Sequence, residues 1–171
     1  NIQFTQGDYQ EKWQRLSGSL GLGTFHLRYS PLILVHDQYR LRLSGKSDLH
    51  FPYDTSAALS WIFLADTEYQ GKTKINGSLE NVITQTQMKM PLVAIADIRL
   101  PLVNSKKELI NNPSILLKLD VEKQYLPQAW WPEGKALPLL DAHLQATGNW
   151  NDYSGKLQGN LLLESLPAVD L

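Results

Sequence analysis

Residues 92–100 read Leu-Val-Ala-Ile-Ala-Asp-Ile-Arg-Leu and decide the fold class of the chain. The even-numbered positions, from Leu92 to Leu100, are all apolar, whereas the odd-numbered positions include Asp97 and Arg99. Side chains that alternate with a period of two residues point to opposite faces of a β-strand. The stretch therefore predicts a strand with one apolar face and one polar face.

The same alternation recurs along most of the chain. The apolar members of the other runs are Phe25, Leu27 and Tyr29; Tyr39, Leu41 and Leu43; Leu59, Trp61 and Phe63; Ile115, Leu117, Leu119 and Val121; Leu140, Ala142, Leu144 and Ala146; and Leu157, Gly159, Leu161 and Leu163. Such a series is typical of an antiparallel sheet that is wetted on one side. We expect an all-β fold built on a curved antiparallel sheet.

One short helix is predicted near the N-terminus. Residues 8–11, Asp-Tyr-Gln-Glu, have the form of a capping box, and Tyr9, Trp13 and Leu16 then fall at i, i+4 and i+7. Gly18 stands where a glycine commonly follows the last helical turn. The spacing predicts a short amphipathic helix before the first strand.

The composition restricts the classes of function. The 171 residues carry 16 Lys+Arg against 17 Asp+Glu, a formal net charge of -1, whereas a nucleic-acid binder normally needs a basic excess. There is no cysteine, which excludes disulfides, thiolate nucleophiles and cysteine-ligated zinc. Because the chain begins at Asn1 and ends in mid-pattern, we expect a fragment of a longer protein that forms one β-rich domain over residues 1–171.

No catalytic or metal-binding arrangement is recognisable in the sequence. The four histidines lack partners at metal-ligand spacing: His26, His36, His50 and His143. The glycines at 18, 21 and 23 lead into a predicted strand, whereas a dinucleotide fingerprint follows a strand and opens a helix. We therefore predict no enzyme activity, no metal site and no cofactor.

The candidate binding surface is the apolar face of the predicted sheet. Its members are predicted from strand parity: Leu41, Leu43, Leu59, Trp61, Phe63, Ile75, Leu79, Met88, Met90, Ile98, Leu100, Leu117, Leu119 and Leu144. If the sheet curves around this face, the face lines an open trough for acyl chains, where each buried CH₂ contributes about 0.8 kcal/mol. Two such faces packed together as a sandwich core explain the periodicity equally well.

Trp130 and Trp131 lie between Pro127 and Pro132 and allow two interpretations. Exposed indole rings at a strand-loop junction can stack on sugars, which would make the chain a β-sandwich module for carbohydrate binding or protein adhesion. Alternatively, the pair closes the end of an apolar core, which is the more usual role of large aromatic side chains.

Several stretches resemble a recurrent element of the TamB family, within the AsmA-like group. Residues 147–153 read Thr-Gly-Asn-Trp-Asn-Asp-Tyr, and Gly-Lys-Leu-Gln-Gly at 155–159 and Leu-Pro-Ala-Val-Asp-Leu at 166–171 follow. Residues 69–79, which contain Tyr-Gln-Gly and Ile-Asn-Gly-Ser-Leu, resemble a second copy. Residues 128–132, Gln-Ala-Trp-Trp-Pro, resemble a Trp-Pro segment that often precedes the element, although Glu133-Gly134 after it departs from the family spacing. The likeness covers about two-thirds of the chain.

The resemblance implies a periplasmic segment of a protein that is anchored in the bacterial inner membrane outside this fragment. It implies a TamA-like outer-membrane barrel as partner, a role in assembling outer-membrane proteins such as autotransporters, and phospholipid movement between the membranes. It also implies a β-taco-like fold, a rolled sheet that is open along one side with an apolar interior. The expected occupants are phospholipid acyl chains or an unfolded outer-membrane protein client, and the family brings no catalytic residues.

Overall fold

The computed structural model describes residues 2–6, 9–149, 151–162 and 169–170, and nearly all of the regular structure in them is β-strand. The strands are β1 (Ile2–Gln6), β2 (Tyr9–Trp13), β3 (Arg15–Leu22), β4 (His26–Val35), β5 (Tyr39–Asp48), β6 (Thr55–Leu64), β7 (Glu68–Ser78), β8 (Asn81–Met90), β9 (Ala94–Leu100), β10 (Ile115–Tyr125), β11 (Leu139–Gly148), β12 (Tyr153–Leu162) and β13 (Val169–Asp170). In these residues the helical structure is confined to the 3₁₀ turn Gln128–Trp130, and no helix has the length and apolarity to cross a membrane.

The strands from β3 to β12 form one antiparallel meander in chain order, and the two-residue strand β13 pairs with the end of β12. A separate hairpin is formed by β1 and β2. Within the described residues the outer strands β3 and β13 do not pair with each other, so the sheet stays open. The prediction of an all-β fold with an antiparallel sheet is confirmed, and β3 to β13 form one continuous sheet beside the β1–β2 hairpin.

The predicted N-terminal helix is wrong. Tyr9–Trp13 is a strand that pairs with Ile2–Gln6, and Arg15–Leu22 is the edge strand of the main sheet. Asp8, the predicted cap, lies outside the described residues. The positions at i, i+4 and i+7 include two aromatic residues that favour strands, and the pairing with the preceding segment satisfies the backbone groups of 9–13 without a helix.

The sheet is a thin layer with a small core. The accessible surface is 11944 Å², whereas a compact monomer of 19.4 kDa exposes about 8,500 Å². Fully buried apolar side chains cluster around Leu92, Ala94 and Val121, with Leu119 and Leu126 packed against them. The remaining apolar side chains on the strands are held mainly by their cross-strand neighbours.

Two loops longer than the other connections lie at opposite ends of the strands. The β9–β10 loop, residues 101–114, is organised by Asn104, whose Oδ1 accepts hydrogen bonds from the amides of Lys106 and Glu108 at 2.9 and 3.1 Å. The β10–β11 loop, residues 126–138, contains the paired tryptophans.

Candidate functional site

The candidate site is a continuous, uncharged face of the main sheet, called here the apolar face. Directly paired residues in an antiparallel sheet lie on the same face, so the register traces it from strand to strand. One row of paired residues crosses all strands from β3 to β12: Leu16, Leu34, Leu41, Trp61, Gly71, Met88, Ala94, Val121, Ala142 and Gly159. Every member of this row is uncharged.

The neighbouring rows have the same character. The row on one side contains Leu32, Leu43, Leu59, Thr73, Thr86, Ala96, Leu119, Leu144 and Leu157, and the next contains Leu20, Tyr29, Gly45, Ala57, Ile75, Thr84, Ile98, Leu117, Ala146 and Gly155. None of these paired residues carries a charge. Charged residues in the same parts of these strands, such as Arg42 and Asp120, alternate along the strand with the members of the rows. They therefore lie on the opposite face of the sheet.

The register places most of the predicted lining residues on the apolar face. They are Leu41, Leu43, Leu59, Trp61, Phe63, Ile75, Met88, Ile98, Leu100, Leu117, Leu119 and Leu144. Phe63 pairs with Tyr39 and Tyr69 and extends the face toward the β6–β7 turn. Strand parity in the sequence therefore located a physically continuous surface.

Two predicted lining residues, Met90 and Leu79, do not lie on the apolar face. Met90 pairs with Gln70, and the register shifts between Gln70 and Gly71, so a β-bulge moves Met90 to the opposite face from Met88. Leu79 lies in the turn after β7, where its carbonyl oxygen accepts hydrogen bonds from the amides of Leu102 and Val103. It belongs to the end of the sheet rather than to the strand surface.

Several polar side chains on the apolar face are hydrogen-bonded to one another. The Trp61 indole N–H donates to Thr73 Oγ1 at 3.1 Å, and that hydroxyl lies 2.9 Å from Thr86 Oγ1. Tyr29 and Thr55 make similar contacts with the Ser47 hydroxyl. Since the hydroxyls already have partners and the paired rows contain no charge, the face suits passive apolar contact and not polar chemistry.

The apolar face is accessible at its outer strands. On the edge strand β3 the exposed fractions of Leu16, Leu20 and Leu22 are 49%, 65% and 77%, and Leu157 on β12 is 55% exposed. Contiguous exposed apolar side chains of this kind mark binding surfaces in soluble proteins. The exposed leucines therefore leave the apolar face accessible to solvent at both β3 and β12.

One end of the apolar face is covered by the β10–β11 loop. The Trp130 ring stacks on Tyr69 of β7 with centroids 6.3 Å apart and an interplanar angle of 29°, so the loop reaches across β9 and β8. Trp131 is half-buried beside it. The Trp130 ring is stacked on Tyr69 and the residue is still 42% exposed, so the structure does not select between the two interpretations of this pair.

One group of titratable side chains, around His143, lies on the polar face of the sheet. His143 Nδ1 lies 2.7 Å from Asp120 Oδ1, and its Nε2 lies 3.8 Å from Asp141 Oδ1, but the imidazole is 61% exposed on the polar face. Within the described ranges no three His, Asp or Glu side chains are grouped as metal ligands. The sequence did not reveal the His143 pair of contacts, because both depend on the register of β10 and β11.

No protein-family model matches the chain, and comparison with curated proteins and with solved structures finds no match either. The last part of the TamB-like pattern, residues 163–168 and 171, lies outside the described residues.

Proposed function

We propose that this chain is a non-enzymatic, periplasmic segment of a TamB-like or AsmA-like envelope protein. In this proposal the sheet rolls into an open trough with the apolar face inside. The trough shields acyl chains, or the apolar strand of an outer-membrane protein client, between the two membranes. The parent protein is anchored in the inner membrane outside this segment and acts with a TamA-like barrel.

The observation that carries the proposal is the uncharged row that crosses every strand from β3 to β12. A surface one side chain wide would stabilise only a few methylenes, whereas adjacent uncharged rows can contact a whole acyl chain at about 0.8 kcal/mol per buried CH₂. Because polar anchors play no part in this contact, binding is unselective among chain lengths and headgroups, as a conduit for mixed lipids requires.

The open edges support a second mode of contact with a client. Among the described residues, β12 has a partner on its outer side only at Asn160 and Leu161, through β13, and β3 forms the other edge of the main sheet. Backbone groups of an edge strand can template a strand from another chain. An unfolded outer-membrane protein offers such strands.

The test is native mass spectrometry of the chain purified from bacteria without detergent. We expect adducts at phospholipid masses, and we expect Phe63→Glu to remove them, because it places a carboxylate on the apolar face. Phe63 is 44% exposed, so the fold should tolerate the charge. The matched control is Ala58→Glu, at an exposed position on the opposite face of the same strand.

The proposal predicts that Ala58→Glu retains the adducts and that both variants keep a β-type circular dichroism spectrum. A bare mass for the unmodified chain, even after incubation with phospholipid, would contradict it. Equal loss of adducts in both folded variants would also contradict it, because the effect would then not depend on the face.

A further inference from the structure

The charged face of the sheet contains a depression with an apolar floor. Its volume is about 340 Å³, at the lower end of the range for small-molecule sites. Ile33, Val35 and Ile62 line it and are half-buried. They belong to runs that are apolar at every position, 32–35 and 61–64, so the strands there present apolar side chains on both faces.

Cationic side chains surround this floor. Arg40 pairs with both Val35 and Ile62, and Arg42 pairs with Ile33, so each arginine is next to an apolar partner. Lys72 and Lys89 complete the cationic lining, and all four cations are exposed.

The four cations have no acidic partner among the described residues. No acidic residue lines the depression, and in the described part of the chain no carboxylate is within ion-pair distance of the four cations. Glu68, the acidic residue next along the same face of β7, lies two positions before Gln70 and outside the lining. In a chain whose net charge is -1, this is a local excess of positive charge that an anion would relieve.

We propose that the depression binds one molecule of an anionic amphiphile with a phosphate headgroup. The arginine guanidinium groups present planar forks that match phosphate oxygens, and the alkyl part contacts the floor formed by Ile33, Val35 and Ile62. The four cations carry more positive charge than a single carboxylate can neutralise, and this favours a phosphate headgroup over the carboxylate of a fatty acid. The concave shape favours a single molecule over a flat membrane surface.

This site does not depend on the proposed trough, because it lies on the opposite face of the sheet. Ile33 and Ile62 report on the depression, whereas Ile75 and Ile98 lie in a row of the apolar face. Isoleucine methyl signals in a nuclear magnetic resonance titration therefore separate the two surfaces in one sample.

The experiment titrates the methyl-labelled chain with decyl phosphate below its micelle concentration. We expect saturable shifts of the Ile33 and Ile62 methyl signals. Inorganic phosphate should bind at least about tenfold more weakly because it lacks the alkyl contact. Decyl maltoside, which has the same alkyl chain and no charge, should leave these two signals unshifted.

Two charge-matched double variants locate the headgroup contact. Arg40→Gln with Arg42→Gln should weaken decyl phosphate binding roughly tenfold or more, since charge-assisted hydrogen bonds are lost. Lys118→Gln with Lys123→Gln, on exposed residues of β10 outside the depression, should change it less than about twofold. If the arginine variant does not fold, Lys72→Gln with Lys89→Gln replaces it with the same expectation.

Four results would overturn the proposal. Equal shifts with decyl maltoside would leave only an apolar patch, and equal affinity for inorganic phosphate would leave a simple anion site. Equal affinity for a glutamate-rich peptide would point to a protein partner. Shifts confined to Ile75 and Ile98 would support the apolar face as the ligand surface and remove this second site.

Discussion

The indole ring of Trp61 lies across Gly71 on the neighbouring strand. A methyl group built on the Gly71 Cα would come within 2.5 Å of Trp61 Cζ2 and 2.7 Å of the Gln87 carbonyl oxygen. The ring thus occupies the space that a side chain at 71 would fill, and its N–H reaches Thr73 at 3.1 Å. The pair fixes a large aromatic surface at the centre of the apolar face.

This relationship predicts that Gly71→Ala is destabilising. The added methyl group must displace the indole or the β8 backbone, and overpacking of this kind costs about 1–3 kcal/mol in the free energy of unfolding. Urea denaturation followed by tryptophan fluorescence measures the change. The control is Gly21→Ala, where the nearest atom is Arg28 Cβ at 4.0 Å, and we expect a change within about 0.5 kcal/mol there. Equal effects would show that Trp61 does not occupy this position.

The small core predicts unequal costs for apolar truncations on the same face. Val121 is 8% exposed and packs in the buried cluster, so Val121→Ala should lower the free energy of unfolding by roughly 1–3 kcal/mol. Leu157 is 55% exposed on β12, and Leu157→Ala should cost less than about 1 kcal/mol although it removes more atoms. If chemical denaturation showed a larger loss of stability for Leu157→Ala than for Val121→Ala, the core would have to lie closer to β12 than it does in this structure.

The stacking of Trp130 on Tyr69 predicts how the covered end of the apolar face responds to substitution. Trp130→Ala should remove about 0.5–1.5 kcal/mol of ring contact and expose more apolar surface. The fluorescence of Nile red, an uncharged dye, should then rise about twofold. Trp130→Phe retains a ring and should leave the dye signal near that of the unmodified chain. An unchanged signal in Trp130→Ala would show that the loop does not cover the face.

The β9–β10 loop is predicted to depend on one acceptor atom. Asn104→Ala removes the Oδ1 that accepts from the amides of Lys106 and Glu108, and it should cost about 1 kcal/mol. Amide hydrogen exchange should accelerate at Lys106 and Glu108. Asn104 Nδ2 also donates to Glu108 Oε2 at 3.0 Å, so the control combines Asn104→Asp with Glu108→Gln, which keeps the acceptor without opposing two carboxylates and should preserve the protection of the amides at 106 and 108. If amide exchange became faster in both variants, the loop would be held in place by a contact other than the Asn104 Oδ1 acceptor.

The strand parity of the sequence was sufficient to predict the face but not its interruptions. Leu41, Trp61 and Leu119 fall on one face because side chains alternate in any regular strand. Met90 was assigned to the wrong face because a bulge inserts one residue into the strand, and the alternation in the sequence does not show where that insertion occurs. The contact of Trp130 with Tyr69 joins residues from different loops and strands, so no local pattern contains it.

The N-terminal helix failed for a related reason. Tyr9, Trp13 and Leu16 fit a helical period, but Tyr9 and Trp13 also fit the period of a strand, and the preceding segment from Ile2 to Gln6 supplies the pairing partner. Gly7-Asp8, flanked by strand-forming residues, is itself a hairpin signal. The depression at Ile62 was not predicted from the sequence, because a run that is apolar at every position shows no alternation between the two faces of a strand.

In the main sheet each long strand pairs only with the strands before and after it in the chain, and this gives the molecule a one-dimensional order of assembly. Chains with mostly local pairings fold without the entropy cost of closing long loops. Hairpins can therefore add to the growing sheet one at a time, and the outermost strands are the first to open. A sheet of this kind can also be lengthened or shortened by whole hairpins while its surface pattern continues, as in repeat proteins.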